Sequence, residues 1–157
     1  MQILFMCTHN SCRSILSEAL FNHLAPAGMK AVSSGSSPSG KVNARALETL
    51  EAARISTDGL TSKASDAFEH SPPDIVITVC DRAANEVCPV FFGAALKAHW
   101  GLTDPSTISG SEEEIEAAFQ ATLTVIEKRV RAFISLPFEQ MNRDMLQTSI
   151  VEIGRLN

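Results

Sequence analysis

The chain has 157 residues, 45% of them hydrophobic, and a formal net charge of −5, which suits one domain over residues 1–157 with a substantial core. The acidic balance argues against nucleic acid or an anionic membrane surface as the main partner, because both call for a dominant basic face. No secretory leader or membrane-length apolar run is present, so the expected location is cytoplasmic.

The chain begins with an apolar run, Gln2 to Cys7, which predicts a buried strand that delivers Cys7 to its carboxyl end. The five residues Thr8, His9, Asn10, Ser11 and Cys12 then curl around the sulfur before Arg13, and a helix starts near Ser14. Their backbone N–H groups point inward at one spot. Amides, a helix N-terminus and the Arg13 guanidinium together make a site for a tetrahedral oxyanion. The same positive surroundings favour the thiolate of Cys7. Asn10 tolerates the left-handed backbone of a tight loop, and the Ser14 hydroxyl can bond the thiolate. The plain alternative is a buried core cysteine with an unrelated surface arginine.

The helix from Ser14 to Leu24 carries an apolar stripe, closed by Pro26 and Gly28, and a short strand follows around Met29 to Val32. The Ser/Gly/Pro cluster from Ser33 to Gly40 reads as a loop at the edge of the site. Asn43 caps a helix through Arg54, and another short helix follows Thr61-Ser62. Asp74 to Cys80 is a β-branched run expected to be a buried parallel strand, so that a second cysteine ends a second strand. Asp81 to Leu96 reads as an irregular, mobile loop carrying Cys88, Pro89 and Gly93, with a helical piece near Ala83 to Val87. A short strand from Lys97 to Trp100 leads to a loop with Asp104-Pro105. A long helix runs from Ser111 to Leu136, its first turn acidic, and a last one from Phe138 to about Ile150.

This alternation predicts an α/β fold, a single doubly wound domain with a parallel sheet. Cys7, Cys12, Cys80 and Cys88 lack the paired short spacings of a zinc site, and the histidines are scattered, so no metal and no cofactor are expected. His9 reads as an exposed loop residue.

The segment from Cys7 to Ser14 resembles the active-site loop of low-molecular-weight protein tyrosine phosphatases and of the arsenate reductases built on that fold. The later landmarks extend the resemblance over nearly the whole chain. It implies a four-stranded parallel sheet of order 2-1-3-4, in which the strands ending at Cys7 and Cys80 are neighbours about 4.8 Å apart. A phosphatase has no use for further thiols, whereas a reductase needs two electrons, which a pair of thiols supplies on becoming a disulfide. The resemblance to the reductases therefore implies the following roles. Cys7 attacks arsenate held by the loop from Thr8 to Ser14, with Arg13, while Asp104 protonates the departing oxygen. Cys80 then attacks Cys7, releasing arsenite, and Cys88 attacks Cys80 to export the disulfide. Thioredoxin or glutaredoxin with glutathione is the implied reductant, phosphate and sulfate are competing oxyanions, and a monomer is expected.

Two departures stand out. The phosphatases usually carry tyrosine after the Asp-Pro pair, where this chain has Ser106 and no tyrosine anywhere. Thioredoxin-linked reductases often bind potassium through residues matching Asn10 and Glu18, a serine and an aspartate; Lys63 in the aspartate's place would supply the cation itself. A tyrosine phosphatase and a non-catalytic redox or arsenic-sensing module remain the alternatives.

Overall fold

The computed structural model describes residues 1–85 and 92–157, so Cys88 and Pro89 lie outside the described residues. Four strands, β1 (Gln2–Cys7), β2 (Lys30–Gly35), β3 (Ile75–Thr78) and β4 (Leu96–His99), form a parallel sheet of order β2-β1-β3-β4. That is the expected order. Among the described residues five α-helices accompany it: α1 (Arg13–Leu24), α2 (Ala44–Ala52), α3 (Asp81–Ala84), α4 (Glu112–Ile134) and α5 (Arg143–Ile153).

Strand side chains alternate between two faces, and the core divides accordingly. Ile3, Phe5 and Cys7, with Ile75 and Ile77, join residues of α1, α2, α4 and α5 in the larger cluster. Leu4, Met6 and Val76 face the other way, against Val32, Phe92 and Phe68. Both sheet faces are therefore covered, and the central strands read as unbroken apolar runs for that reason. In the larger cluster Phe5, Phe21, Phe133 and Trp100 make tilted or edge-on ring pairs, Phe21–Phe133 at 5.7 Å between centroids. Burying each phenyl ring contributes about 1.5–3 kcal/mol.

Several elements depart from the sequence reading. Helix α1 was expected to bury one stripe, but Ser14 to Phe21 are buried without a break, because the sheet, α2 and α4 all touch it. Strand β2 continues through Ser33, Ser34 and Gly35, residues read as loop; pairing with β1 over its whole length decides their conformation. Strand β3 stops at Thr78, so Cys80 is not its last residue but caps α3, its sulfur accepting from the Ala83 amide at 3.4 Å. The short helix after Ser62 is a single 3-10 turn, Ser65–Phe68. The final helix starts at Arg143, because the Asn142 side chain accepts from the Met145 amide, while Phe138–Gln140 forms only a 3-10 turn. Asn43 and Ser111 cap α2 and α4 as expected.

Candidate active site

The parallel register sets the site. Met6 pairs with Ser34 of β2 on one side and with Thr78 of β3 on the other. Cys7, paired with Gly35 of β2, is therefore the last residue of β1, between its two neighbours at the strands' carboxyl ends, where ligands of open α/β sheets sit. The backbone turns at Asn10, which has φ of 46°, a left-handed conformation that asparagine tolerates. The turn brings the Asn10 amide to 3.2 Å from the Cys7 sulfur, and the Ser14 hydroxyl lies 2.9 Å from the same atom. Both are donors suited to a thiolate.

The orientation of the other amides follows from where the loop's carbonyls go. Thr8 O accepts from the Ser37 amide at 2.9 Å, His9 O from the Ser39 amide and the Ser62 hydroxyl at 3.0 Å, and Ser11 O from the Asn43 amide at 2.9 Å. With the carbonyls held outward, the opposite edge of the peptides, carrying the N–H groups, is left for the concave side. The Ser/Gly/Pro stretch is thus more than the rim expected from the sequence. Gly35 is needed for this contact: a Cβ there would fall 2.5 Å from Thr8 O. His9 is exposed, as expected, with Nδ1 at 3.3 Å from Ser37 O.

Beneath the loop lies a buried polar network. The Asn10 side chain donates to the Ser14 and Ser33 hydroxyls at 2.8 and 2.9 Å and accepts from the Lys63 amide at 2.9 Å. Ser33 donates to Glu18, whose carboxylate stands 3.8 Å from the Lys63 ammonium. Burial pushes the Glu18 carboxyl above its ordinary range, opposed by Ser33 and Lys63. Burial likewise lowers Lys63, opposed by Glu18. The lysine therefore places its cation against Glu18, as the sequence suggested. Ser33 and Gly35 were missed as functional, because small polar residues in a serine-glycine run look like a turn.

Arg13 opens α1 and reaches across to the loop after β4. Its Nη1 donates to Leu102 O at 3.1 Å and its Nη2 to Asp104 Oδ2 at 3.3 Å. The other carboxylate oxygen of Asp104 accepts from the amide and the hydroxyl of Ser106, at 2.9 and 2.6 Å. A half-buried carboxylate is thereby aimed at the mouth of the loop, and Ser106 orients it. Cys12 is buried, and its thiol is pushed up to about 12, mainly by burial and then by Asp104, against the pull of Arg13. It stays protonated at neutral pH, unlike a nucleophile.

Cys80 is also buried and unpaired. Its sulfur lies 3.6 Å from the hydroxyl of Thr8, the residue that follows Cys7. The site thus gathers Cys7, the loop from Thr8 to Ser14, Arg13, Asp104 and Cys80. Cys88 falls among the residues not described.

Residues 2–147 match the family described as low molecular weight phosphotyrosine protein phosphatase. An arsenate reductase of Bacillus subtilis (strain 168) is 33% identical over 131 residues, spanning 83% of this chain and 93% of that protein. A solved arsenate reductase in its phosphate binding state superposes with a TM-score of 0.70 at 26% identity, over 85% of this chain and 96% of that one. A thioredoxin-dependent arsenate reductase of Corynebacterium glutamicum superposes with a TM-score of 0.59 at 25% identity, over 83% of this chain and 61% of that one.

Proposed function

The chain belongs to the low molecular weight phosphotyrosine protein phosphatase family, and from that premise we propose that it is an arsenate reductase, a single reductase domain over residues 1–157. The observation that carries the reading is the second buried thiol: Cys80 touches Thr8, one residue past Cys7. Hydrolysis of a phosphate ester has no role for it.

In this reading arsenate sits on the inward amides of Thr8 to Ser14 with Arg13, a charge-assisted oxyanion site. The Cys7 thiolate attacks arsenic, and an S–As bond replaces an As–O bond. The departing oxygen takes the proton of Asp104 and leaves as water. Cys80 then attacks the Cys7 sulfur. The S–S bond forms, the S–As bond breaks, and its electron pair stays on arsenic, so that arsenate becomes arsenite while two thiols become one disulfide. Cys88, by its resemblance to the reductases, attacks Cys80 next and frees Cys7. A disulfide requires Cα atoms within about 4.4–6.8 Å, so this last step needs the Cα atoms of Cys80 and Cys88 within that range.

Thioredoxin is the favoured reductant, supported by the thioredoxin-dependent relative, with glutaredoxin and glutathione as the other candidate. The protein acts as a monomer in the cytoplasm, where thiols stay reduced. Among the described residues no helix is long and apolar enough to cross a membrane. Phosphate and sulfate compete for the loop. Because Lys63 already faces Glu18, potassium gives no gain in rate or melting temperature over sodium.

The shared loop and the Asp104 carboxylate support a lesser second activity, hydrolysis of small aryl phosphates. Ser106 turns back onto Asp104 and offers no ring to stack on a phenyl group. The deciding experiment measures arsenite formed from arsenate with thioredoxin, and with glutaredoxin plus glutathione, for wild type, Cys80→Ser and Cys88→Ser. Turnover lost in both variants with aryl-phosphate hydrolysis retained is the expected result. No arsenite in either system, with brisk hydrolysis indifferent to both substitutions, makes the protein a phosphatase.

A further inference from the structure

Arg129 lies in the middle of α4 and is only 3% exposed. No Asp or Glu among the described residues neutralises it, and burial alone lowers its pKa. A buried guanidinium without a carboxylate is costly, which raises the question of what it holds. Its Nη1 donates to Gly101 O at 3.0 Å and its Nε to Leu156 O at 2.9 Å.

Gly101 is the first residue after Trp100, three residues before Asp104. The next carbonyl, Leu102 O, takes Arg13 Nη1 at 3.1 Å, and the Leu102 amide donates to Val79 O at 3.0 Å. The acid loop is therefore slung between two arginines, Arg13 at the mouth of the oxyanion loop and Arg129 behind. Beside it a cavity of about 330 Å³ is lined by Leu102, Thr103, Pro105 and Arg129 itself. Directed bonds from two arginines thus add to the packing of Leu102 and Pro105 in fixing where this loop stands. The Leu156 carbonyl, beyond residues 2–147 of the family match, occupies the other arm of the guanidinium.

We propose that Arg129 is a positioning residue for proton donation: through Gly101 it sets Asp104 against the departing oxygen, and the Leu156 carbonyl steadies Arg129 in turn. The proposal rests on the reading of Asp104 as the proton donor.

The test mixes the full, reduced protein with arsenate in the absence of any reductant and follows loss of free thiols across arsenate concentration at neutral pH. Asp104→Asn should lower the maximal rate by roughly 10²-fold or more. Arg129→Met should lower the maximal rate about tenfold and leave half-saturation by arsenate unchanged within about twofold. Arg129→Lys, keeping a charged donor, should recover part of that loss. Val130→Ala, a cavity in the same helix turn, should lower the melting temperature without lowering the maximal rate. A slow Asp104→Asn with Arg129→Met at the wild-type rate overturns this proposal alone, as does an Arg129→Met loss matched by Val130→Ala. A wild-type rate in Asp104→Asn overturns the donor reading and the proposal with it.

Discussion

Cys7 and Cys80 lie at the carboxyl ends of adjacent strands, both buried, yet the structure holds them by different means. Around Cys7 the carbonyls of Thr8, His9 and Ser11 are tied to other segments, and Asn10 alone makes three side-chain hydrogen bonds beneath the loop. Around Cys80 the polar support among the described residues is a four-residue helix, one amide contact at 3.4 Å and one hydroxyl at 3.6 Å. Asp81 adds a surface link to His99 at 3.0 Å. A nucleophile that must meet a tetrahedral anion gains from a fixed approach. A thiol that must exchange partners gains from a support that comes undone at small cost.

The largest effect separates thiolate character from burial. Cys12 shares the loop with Cys7, but its pKa of about 12 leaves only ~10⁻⁴ of it as thiolate near pH 8. Brief alkylation of the native protein followed by mass mapping should modify Cys7 and leave Cys12 unmodified. Equal labelling would show that the loop does not discriminate between them.

Asn10→Ala strikes the rigid side directly. It removes three bonds and places alanine at a positive φ, so roughly 10²-fold should be lost in the rate of arsenate-driven thiol loss. Asn10→Gly keeps the backbone without the bonds. Recovery of the full rate in the glycine variant would mean that the left-handed turn matters and the network does not.

Lys63→Met leaves Glu18 buried without its cation, and denaturant unfolding near neutral pH should show a loss of about 3 kcal/mol. The pH dependence has a defined sign. Glu18 has a raised pKa in the fold, so its contribution to stability is present at acid pH and is lost as pH rises through that value. Without Lys63 the pKa rises further, and the deficit should shrink as the pH falls and Glu18 is protonated. A deficit independent of pH would remove the pair from the account.

Gly35→Ala forces a methyl group against backbone and should cost about 1–3 kcal/mol in the same assay, with a matching loss of rate. Asp81→Asn, on the loose side, should shift stability by less than about 0.5 kcal/mol, since its side chain is 92% exposed. A large shift there would erase the contrast between the two thiols.

Much of the rigid side was legible in the sequence, because it is local: an apolar strand, a cysteine, five residues, an arginine and a helix follow one another without a break. What escaped the sequence was supplied by distant segments. Ser33 to Gly35 became strand through pairing with β1, and their role depends on Thr8 and Asn10, neighbours only in space. Cys80 was placed at a strand end because Val79 continues the β-branched run. The ladder to β1 and β4 instead stops at Thr78, and the sulfur's contact with the Ala83 amide makes Cys80 a cap. Lys63 was found because a departure from a family pattern singled it out. Arg129 gave no signal, since a lone arginine in an amphipathic helix looks like surface charge until the fold covers it.

The chain's only tryptophan, Trp100, lies buried in the aromatic cluster with its ring nitrogen bonded to Ile150 O at 2.8 Å, immediately before Gly101. Its neighbour in sequence starts the acid loop, and its neighbours in space are core rings. Any displacement of that loop therefore pulls on an indole in a fixed apolar setting. The protein thus carries its own optical gauge of where Asp104 stands, free of interference from tyrosine.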